Sequence, residues 1–221
     1  FRAVSSDDQF SCRNGQIVYA AYEPDLRWGW RDYSVIRMLN LHSGKDIRLT
    51  RKTKYFSPDI SHDGNKIIVL ETTPDQHYSL ALLNAANGKI IRRLGNPNQY
   101  YYTYPKFDLD DQSVFTSVRN AKGQMALMQQ WLYKDSSKIW TPFSYKVTGI
   151  PEITKDYIFF AASYNKTDNV YAVNRNTGAI SQVTDERYGA YQPALNFDRS
   201  KLIFSEFSIY GNQLKQMNLD T

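Results

Sequence analysis

The chain has 221 residues, 42% hydrophobic and 22% charged, a balance that excludes a disordered polymer and permits one globular domain. A single cysteine, Cys12, excludes an internal disulfide and a cysteine-ligated metal, and no apolar run reaches membrane-spanning length. The net charge of +5 raises nucleic acid as a partner, but the basic residues are spread, and lysines at solvated strand edges account for that.

In chain order, the first element is "FSCRNGQIV" (10–18), which overlays "ISHDGNKII" (60–68) without a gap. The second copy is fuller: Pro58, then Asp63, then a run of β-formers from Ile67 to Leu70. The pattern returns as Pro105, Asp110 and Val114–Val118, as Pro151, Asp156 and Ile158–Ala162, and as Pro193, Asp198 and Leu202–Phe204. The four prolines are 47, 46 and 42 residues apart. An asparagine four residues before a glycine keeps the same phase at Asn40/Gly44, Asn84/Gly88 and Asn174/Gly178, and Asn218 begins a further copy. Two features in step at one period define a repeat protein.

Each repeat reads as four short strands. The first is expected to start at the proline, whose missing N–H costs no ladder bond there, giving segments 8–12, 58–62, 105–109, 151–155 and 193–197. Asp-Gly, Asp-Asp or Asp-Arg supplies a tight turn. A second, strongly apolar strand follows, and a third ends at the asparagine. The glycine provides the positive φ of a hairpin, and a fourth strand closes the unit. No window carries a helical apolar period.

The fold expected is therefore all-β, a β-propeller of about five four-stranded antiparallel blades, or a segment of a larger propeller. A solenoid is the alternative, but its repeats are shorter or helical. The whole chain, 1–221, reads as one domain with repeats at roughly 5–50, 51–97, 98–145, 146–186 and 187–221. The fifth blade has three strands before the chain stops, and "FRAV" (1–4) would supply its fourth. Beginning in mid-strand and ending in mid-turn, the sequence reads as a piece of something longer.

The stretches "SPDISHDGNKIIVLET" and "YQPALNFDRSKLIFSE" resemble the TolB-type, WD40-like repeats called PD40, in which Pro-x-hydrophobic-Ser-x-Asp-Gly opens a blade and Leu-Thr ends it. Leu49-Thr50 and Val183-Thr184 fit that ending, and Arg93-Leu94 fits it loosely. The first repeat lacks the Pro and Asp, and the third has "KDSSK" (134–138) in place of the Asn/Gly turn. The resemblance implies a non-catalytic binding module of a periplasmic or secreted bacterial protein, with a protein, peptide or glycan as partner. Its alternative is the substrate-gating propeller of a peptidase, or a divergent propeller lyase.

No catalytic constellation is legible. His42, His62 and His77 share no spacing, and Gly-x-Ser-x-Gly, His-Glu-x-x-His and Walker patterns are missing from the sequence. No cofactor or metal is expected. Asp110-Asp111 lies near a turn, where aspartate serves the backbone.

Surface geometry is the remaining guide. Loops before strand one and between strands two and three should share a face. That face would hold the insertion "EPDLRWGWRDY" (23–33) together with "RKTKYF" (51–56) and "NPNQYYYTY" (96–104). The expected ligand-binding rim is Arg27, Trp28, Trp30, Arg31, Tyr33, Tyr55, Tyr100, Tyr101 and Tyr104, because Trp, Tyr and Arg dominate binding hot spots. Tyr55, Tyr102 and Tyr188 recur in phase and can equally serve as wedges between blades. Within strand one, alternation separates an apolar set (Phe10, Ile60, Phe107, Ile153, Leu195), expected to pack between blades, from a polar set. The polar residues Asp59, Ser61, Lys106, Asp108, Glu152, Thr154 and Asn196 are expected to line a solvated channel.

Overall fold

The computed structural model describes residues 10–219 except Phe197, so the expected fourth strand from 1–4 lies outside the described residues. Among the described residues all regular structure is β, in five sheets, each a meander of strands adjacent in sequence. The first sheet is β1 (Phe10–Arg13), β2 (Gln16–Pro24), β3 (Asp32–Asn40) and β4 (Asp46–Arg48). The second is β5 (Tyr55–Ile60), β6 (Lys66–Thr72), β7 (Tyr78–Asn84) and β8 (Ile90–Arg93). The third is β9 (Tyr101–Phe107), β10 (Ser113–Arg119), β11 (Met125–Trp131) and β12 (Ser137–Ile139). The fourth is β13 (Glu152–Ile153), β14 (Tyr157–Asn165), β15 (Thr167–Asn174) and β16 (Ile180–Gln182). The fifth has three strands among the described residues: β17 (Ala190–Leu195), β18 (Lys201–Ser208) and β19 (Gly211–Asn218). Two compact units make up the described chain, 10–114 with 131–136 and 115–130 with 137–219.

In the second blade the second and third strands are apolar without alternation because both faces of the sheet are covered, whereas β18 alternates and β19 is mostly exposed. Ile67, Ile68 and Val69 of β6 and Leu80, Ala81, Leu82 and Leu83 of β7 are all fully buried. In the first unit one face joins Val18, Ala20 and Ile36 of the first blade to Tyr55, Ile60, Ile67, Val69, Ala81 and Leu83 of the second. In the second unit Phe159, Val170 and Ala172 pack with Ala190, Leu202 and Phe204. Each buried Val, Leu, Ile or Phe side chain contributes about 1.5–3 kcal/mol, so within each unit the named pair of blades holds together by face-to-face apolar contact. Ile60, Phe107 and Ile153 of the apolar first-strand set are buried, whereas Phe10 is exposed and Leu195 half-buried.

Three of the first strands do not start at the proline, whereas β13 follows Pro151 directly. β5, β9 and β17 begin three to four residues earlier, and the residue before each proline has a left-handed φ: Ser57 at 46°, Tyr104 at 54° and Gln192 at 52°. The ladder skips between Phe56 and Asp59 and between Tyr191 and Ala194. A bulge at this point leaves a position with no ladder bond to make, and proline, lacking an N–H, fits inside the strand.

The turn signals have plain causes. Asn40, Asn84 and Asn174 each accept the N–H of the glycine four residues on at their carbonyl, while the side-chain Oδ1 accepts N–H groups within the loop. Gly88 is doubly required: its φ is +69°, and a Cβ there would lie 2.2 Å from the Leu49 carbonyl oxygen. The closing threonine is equally specific. Thr50, Thr141 and Thr184 each accept, at Oγ1, the backbone N–H of the residue 14 positions upstream, Ile36, Leu127 and Val170, at 2.8–2.9 Å.

Candidate binding site

The seven polar first-strand positions do not form a uniformly solvated lining. Asp59 is 1% exposed, and Ser61 and Asp108 are also buried, so the solvated position expected of these three does not hold. Lys106, Glu152, Thr154 and Asn196 are half-buried. The reason is internal bonding. Asp59 accepts from Ser11 Oγ at 2.7 Å, from Phe107 N–H at 2.9 Å and from Lys106 Nζ at 3.2 Å. Ser61, Thr154 and Asn196 close the first turn of their blades, accepting the N–H of Lys66, Tyr157 and Lys201. Asp108 accepts from Ser113 Oγ across the same turn. These polar side chains satisfy backbone and carboxylate groups that would otherwise be stranded in the core.

His62 is likewise a fold residue. Its Nδ1 lies 2.8 Å from Asp111 Oδ1, and that carboxylate also accepts the N–H groups of His62 and Asp63. Among the described residues no group of three His, Cys, Asp or Glu side chains could hold a metal ion, and no helix is long and apolar enough to cross a membrane.

The insertion is a built structure. β2 and β3 are nine residues each, two longer than β6 and β7, and their loop runs from Asp25 to Arg31. Asp25 organises it. Its Oδ1 accepts the N–H groups of Arg27 at 2.8 Å and Trp28 at 3.1 Å, its Oδ2 accepts the Tyr33 hydroxyl at 2.9 Å, and its own N–H donates to the Arg31 carbonyl. These donors, the Arg27 amide first and the Tyr33 hydroxyl next, hold the Asp25 carboxyl below the usual carboxylate range. A second bond, Arg31 N–H to Trp28 carbonyl at 2.8 Å, tightens the tip.

With backbone and carboxylate committed to one another, the remaining side chains face outward. Trp28 is 58% exposed, and Leu26 and Trp30 are fully exposed. The Arg27 guanidinium lies 5.3 Å from the Trp28 ring centroid and Arg31 lies 5.5 Å from that of Tyr33, both in cation–π range. Beside the loop is a pocket of about 610 Å³, lined by Glu23, Pro24, Asp25, Leu26, Arg27 and Tyr33 and by the basic residues Arg48, Arg51 and Lys52. The expected face includes the 51–56 loop, but Arg48, Arg51 and Lys52 are not among the expected rim residues.

The rest of the expected rim is placed differently. Tyr55 is only 4% exposed and sits in the core cluster; burial, followed by the Glu71 charge, pushes its phenol up to about 12. It packs between blades and is removed from the rim. Tyr102 is buried too, while Tyr188 is exposed. Tyr100 and Tyr101 are organised by other groups: Asn96 accepts the Tyr100 N–H and donates to the Tyr78 and Tyr100 carbonyls, and the Tyr101 ring lies 4.3 Å from that of Tyr78. Tyr104 is half-buried at the bulge before Pro105. The structure therefore joins Arg27 and Tyr33 to the basic residues of the pocket, with Trp28, Trp30 and Arg31 on the adjoining tip.

Known structures place this architecture in the β-propeller class. A TolB-type protein from Agrobacterium tumefaciens superposes with a TM-score of 0.76 at 13% identity, covering 96% of this chain and 76% of that one. TolB from Acinetobacter baumannii gives 0.74 at 13% identity over 95% of this chain and 51% of its own. The fold is thus a TolB-like β-propeller, five blades being described here. A prolyl endopeptidase also superposes, at 0.64 and 11% identity, but this chain spans only 33% of it. No family model and no curated relative matches the sequence.

Proposed function

We propose that this chain is a non-catalytic propeller module that binds a protein, peptide or glycan through the β2–β3 insertion and the pocket beside it, within a periplasmic or secreted bacterial protein. The observation that carries this reading is the loop tip. Asp25 fixes the backbone from Arg27 to Arg31, yet Leu26, Trp28 and Trp30 stand in water. Exposed aromatic side chains on a rigid support are the composition of binding hot spots, and they cost solubility where nothing covers them. The TolB-type resemblance is the basis for the envelope or secreted location. Peptide and glycan arrays probed with the protein and with a Trp28→Ala/Trp30→Ala variant test the reading. Ligands lost with the variant support it; an array without ligands, or one indifferent to the two tryptophans, contradicts it.

The likeness to a prolyl endopeptidase and to an acylaminoacyl peptidase, the latter at a TM-score of 0.63, supports a second reading as the gating propeller of a peptidase. A hydrolase domain encoded in the same reading frame would favour it over the first.

A further inference from the structure

We infer that the pocket beside the insertion takes a carboxylate: it recognises an acidic peptide segment whose Asp or Glu side chains alternate with aliphatic ones. This inference rests on the binding-surface reading and names its ligand class. Six charged side chains border the pocket, four cationic (Arg27, Arg48, Arg51, Lys52) and two anionic (Glu23, Asp25). Both anions are already committed. Glu23 is paired with Arg48 Nη1 at 3.0 and 3.1 Å, and Asp25 accepts three hydrogen bonds from its own loop. Among the described residues no carboxylate lies within ion-pair distance of Arg27, Arg51 or Lys52. Arg51 and Lys52 therefore bring positive charge to the pocket that no ion pair among the described residues neutralises.

The remaining walls choose among anions. Pro24, Leu26 and the Tyr33 ring give the pocket an apolar side, which suits an aliphatic side chain flanking the carboxylate. Arg51 offers the planar fork that binds a carboxylate bidentately. Glu23 and Asp25 lie along the same walls and repel a ligand that carries charge at every unit, as nucleic acid does. A segment with separated single charges avoids that repulsion. The volume of about 610 Å³ is that of a small-ligand site, enough for part of an extended peptide.

The test is fluorescence anisotropy with a labelled peptide alternating glutamate or aspartate with leucine, beside its glutamine and asparagine isostere. The partners are the unaltered protein, an Arg51→Gln/Lys52→Asn variant and the Trp28→Ala/Trp30→Ala variant. The acidic peptide is expected to bind at least about tenfold more tightly than its isostere, the loss corresponding to one charge-assisted hydrogen bond. Arg51→Gln/Lys52→Asn should remove that preference without shifting the thermal midpoint. Equal binding of the two peptides, sensitive only to the tryptophans, overturns the carboxylate inference and leaves the binding surface standing. Stronger binding of an oligonucleotide or of polygalacturonate than of the acidic peptide also overturns it. Binding of neither peptide, combined with empty arrays, removes both readings.

Discussion

Asp59 and Asp25 do the same local chemistry with opposite consequences. Each accepts three hydrogen bonds. Asp59 takes its donors from Ser11, Lys106 and Phe107, residues 47 or 48 positions away, so its carboxylate ties three repeats together and is buried. Asp25 takes its donors from residues two, three and eight positions away, so it shapes one loop and stays half-buried at the surface. The repeat framework therefore uses polar side chains to close itself, and the insertion uses them to hold Leu26, Trp28 and Trp30 away from the core. In this pair, distant donors bury the carboxylate within the framework and local donors leave it at the surface.

The largest effect expected from this contrast is at Asp59. Asp59→Ala strands Phe107 N–H, Ser11 Oγ and the Lys106 ammonium, and should lower stability by about 3 kcal/mol in chemical denaturation. A loss below about 1 kcal/mol, the size of an ordinary surface change, would break the contrast. Gly88→Ala should come next, costing more than about 1 kcal/mol by the same assay, since it combines a left-handed φ with a clash against the Leu49 carbonyl.

Tyr55 gives a pH-dependent version of the same distinction. Its phenol is raised to about 12 from an ordinary value of 10.0, so the folded state holds the proton more tightly than the unfolded state. The stability this contributes is complete below pH 10 and is lost as pH rises toward 12. Denaturation across that window should show a shallower decline for Tyr55→Phe than for the unaltered protein; identical slopes would place Tyr55 outside the buried interface.

Asp25 should show the smallest global effect and a clear local one. Asp25→Ala is expected to leave the thermal midpoint nearly unchanged while shifting tryptophan emission, because the loop loses its organising acceptor. In the unaltered protein the depressed carboxyl contributes loop order that is present above its ordinary value of 3.8 and is lost as pH falls below it. Emission that stays constant through that acid range would mean the loop does not depend on Asp25.

Much of the framework is legible in the sequence because its causes are local. The Asp-Gly turns, the Asn/Gly pairs and the doubly buried second strands announce themselves in a few adjacent residues, and the period repeats them. The bulges are not legible, since nothing in "FSPD" or "TYPK" signals that Ser57 and Tyr104 adopt a left-handed φ. Nor is the burial of Asp59 and Ser61, whose polarity reads as solvation until the partners are in place. Thr141 closes its blade as Thr50 and Thr184 do, but the third repeat lacks the Asn/Gly marker that would have pointed to Trp140-Thr141 as the ending. At the site, Trp28 and Trp30 stand out because the repeat has no use for them. Repeat geometry already sets the insertion beside the 51–56 loop, but that Arg48, Arg51 and Lys52 line a pocket there shows only in the folded chain.

The central claim is that the insertion carries binding and not stability. One paired measurement tests it most directly: the thermal midpoint and the affinity for the acidic peptide, both determined for the Trp28→Ala/Trp30→Ala variant against the unaltered protein. The account predicts a midpoint that is nearly unchanged, with a stability difference within about 0.5 kcal/mol, together with loss of peptide binding. A large fall in the midpoint with binding intact would mean the two tryptophans serve blade packing, and would contradict it.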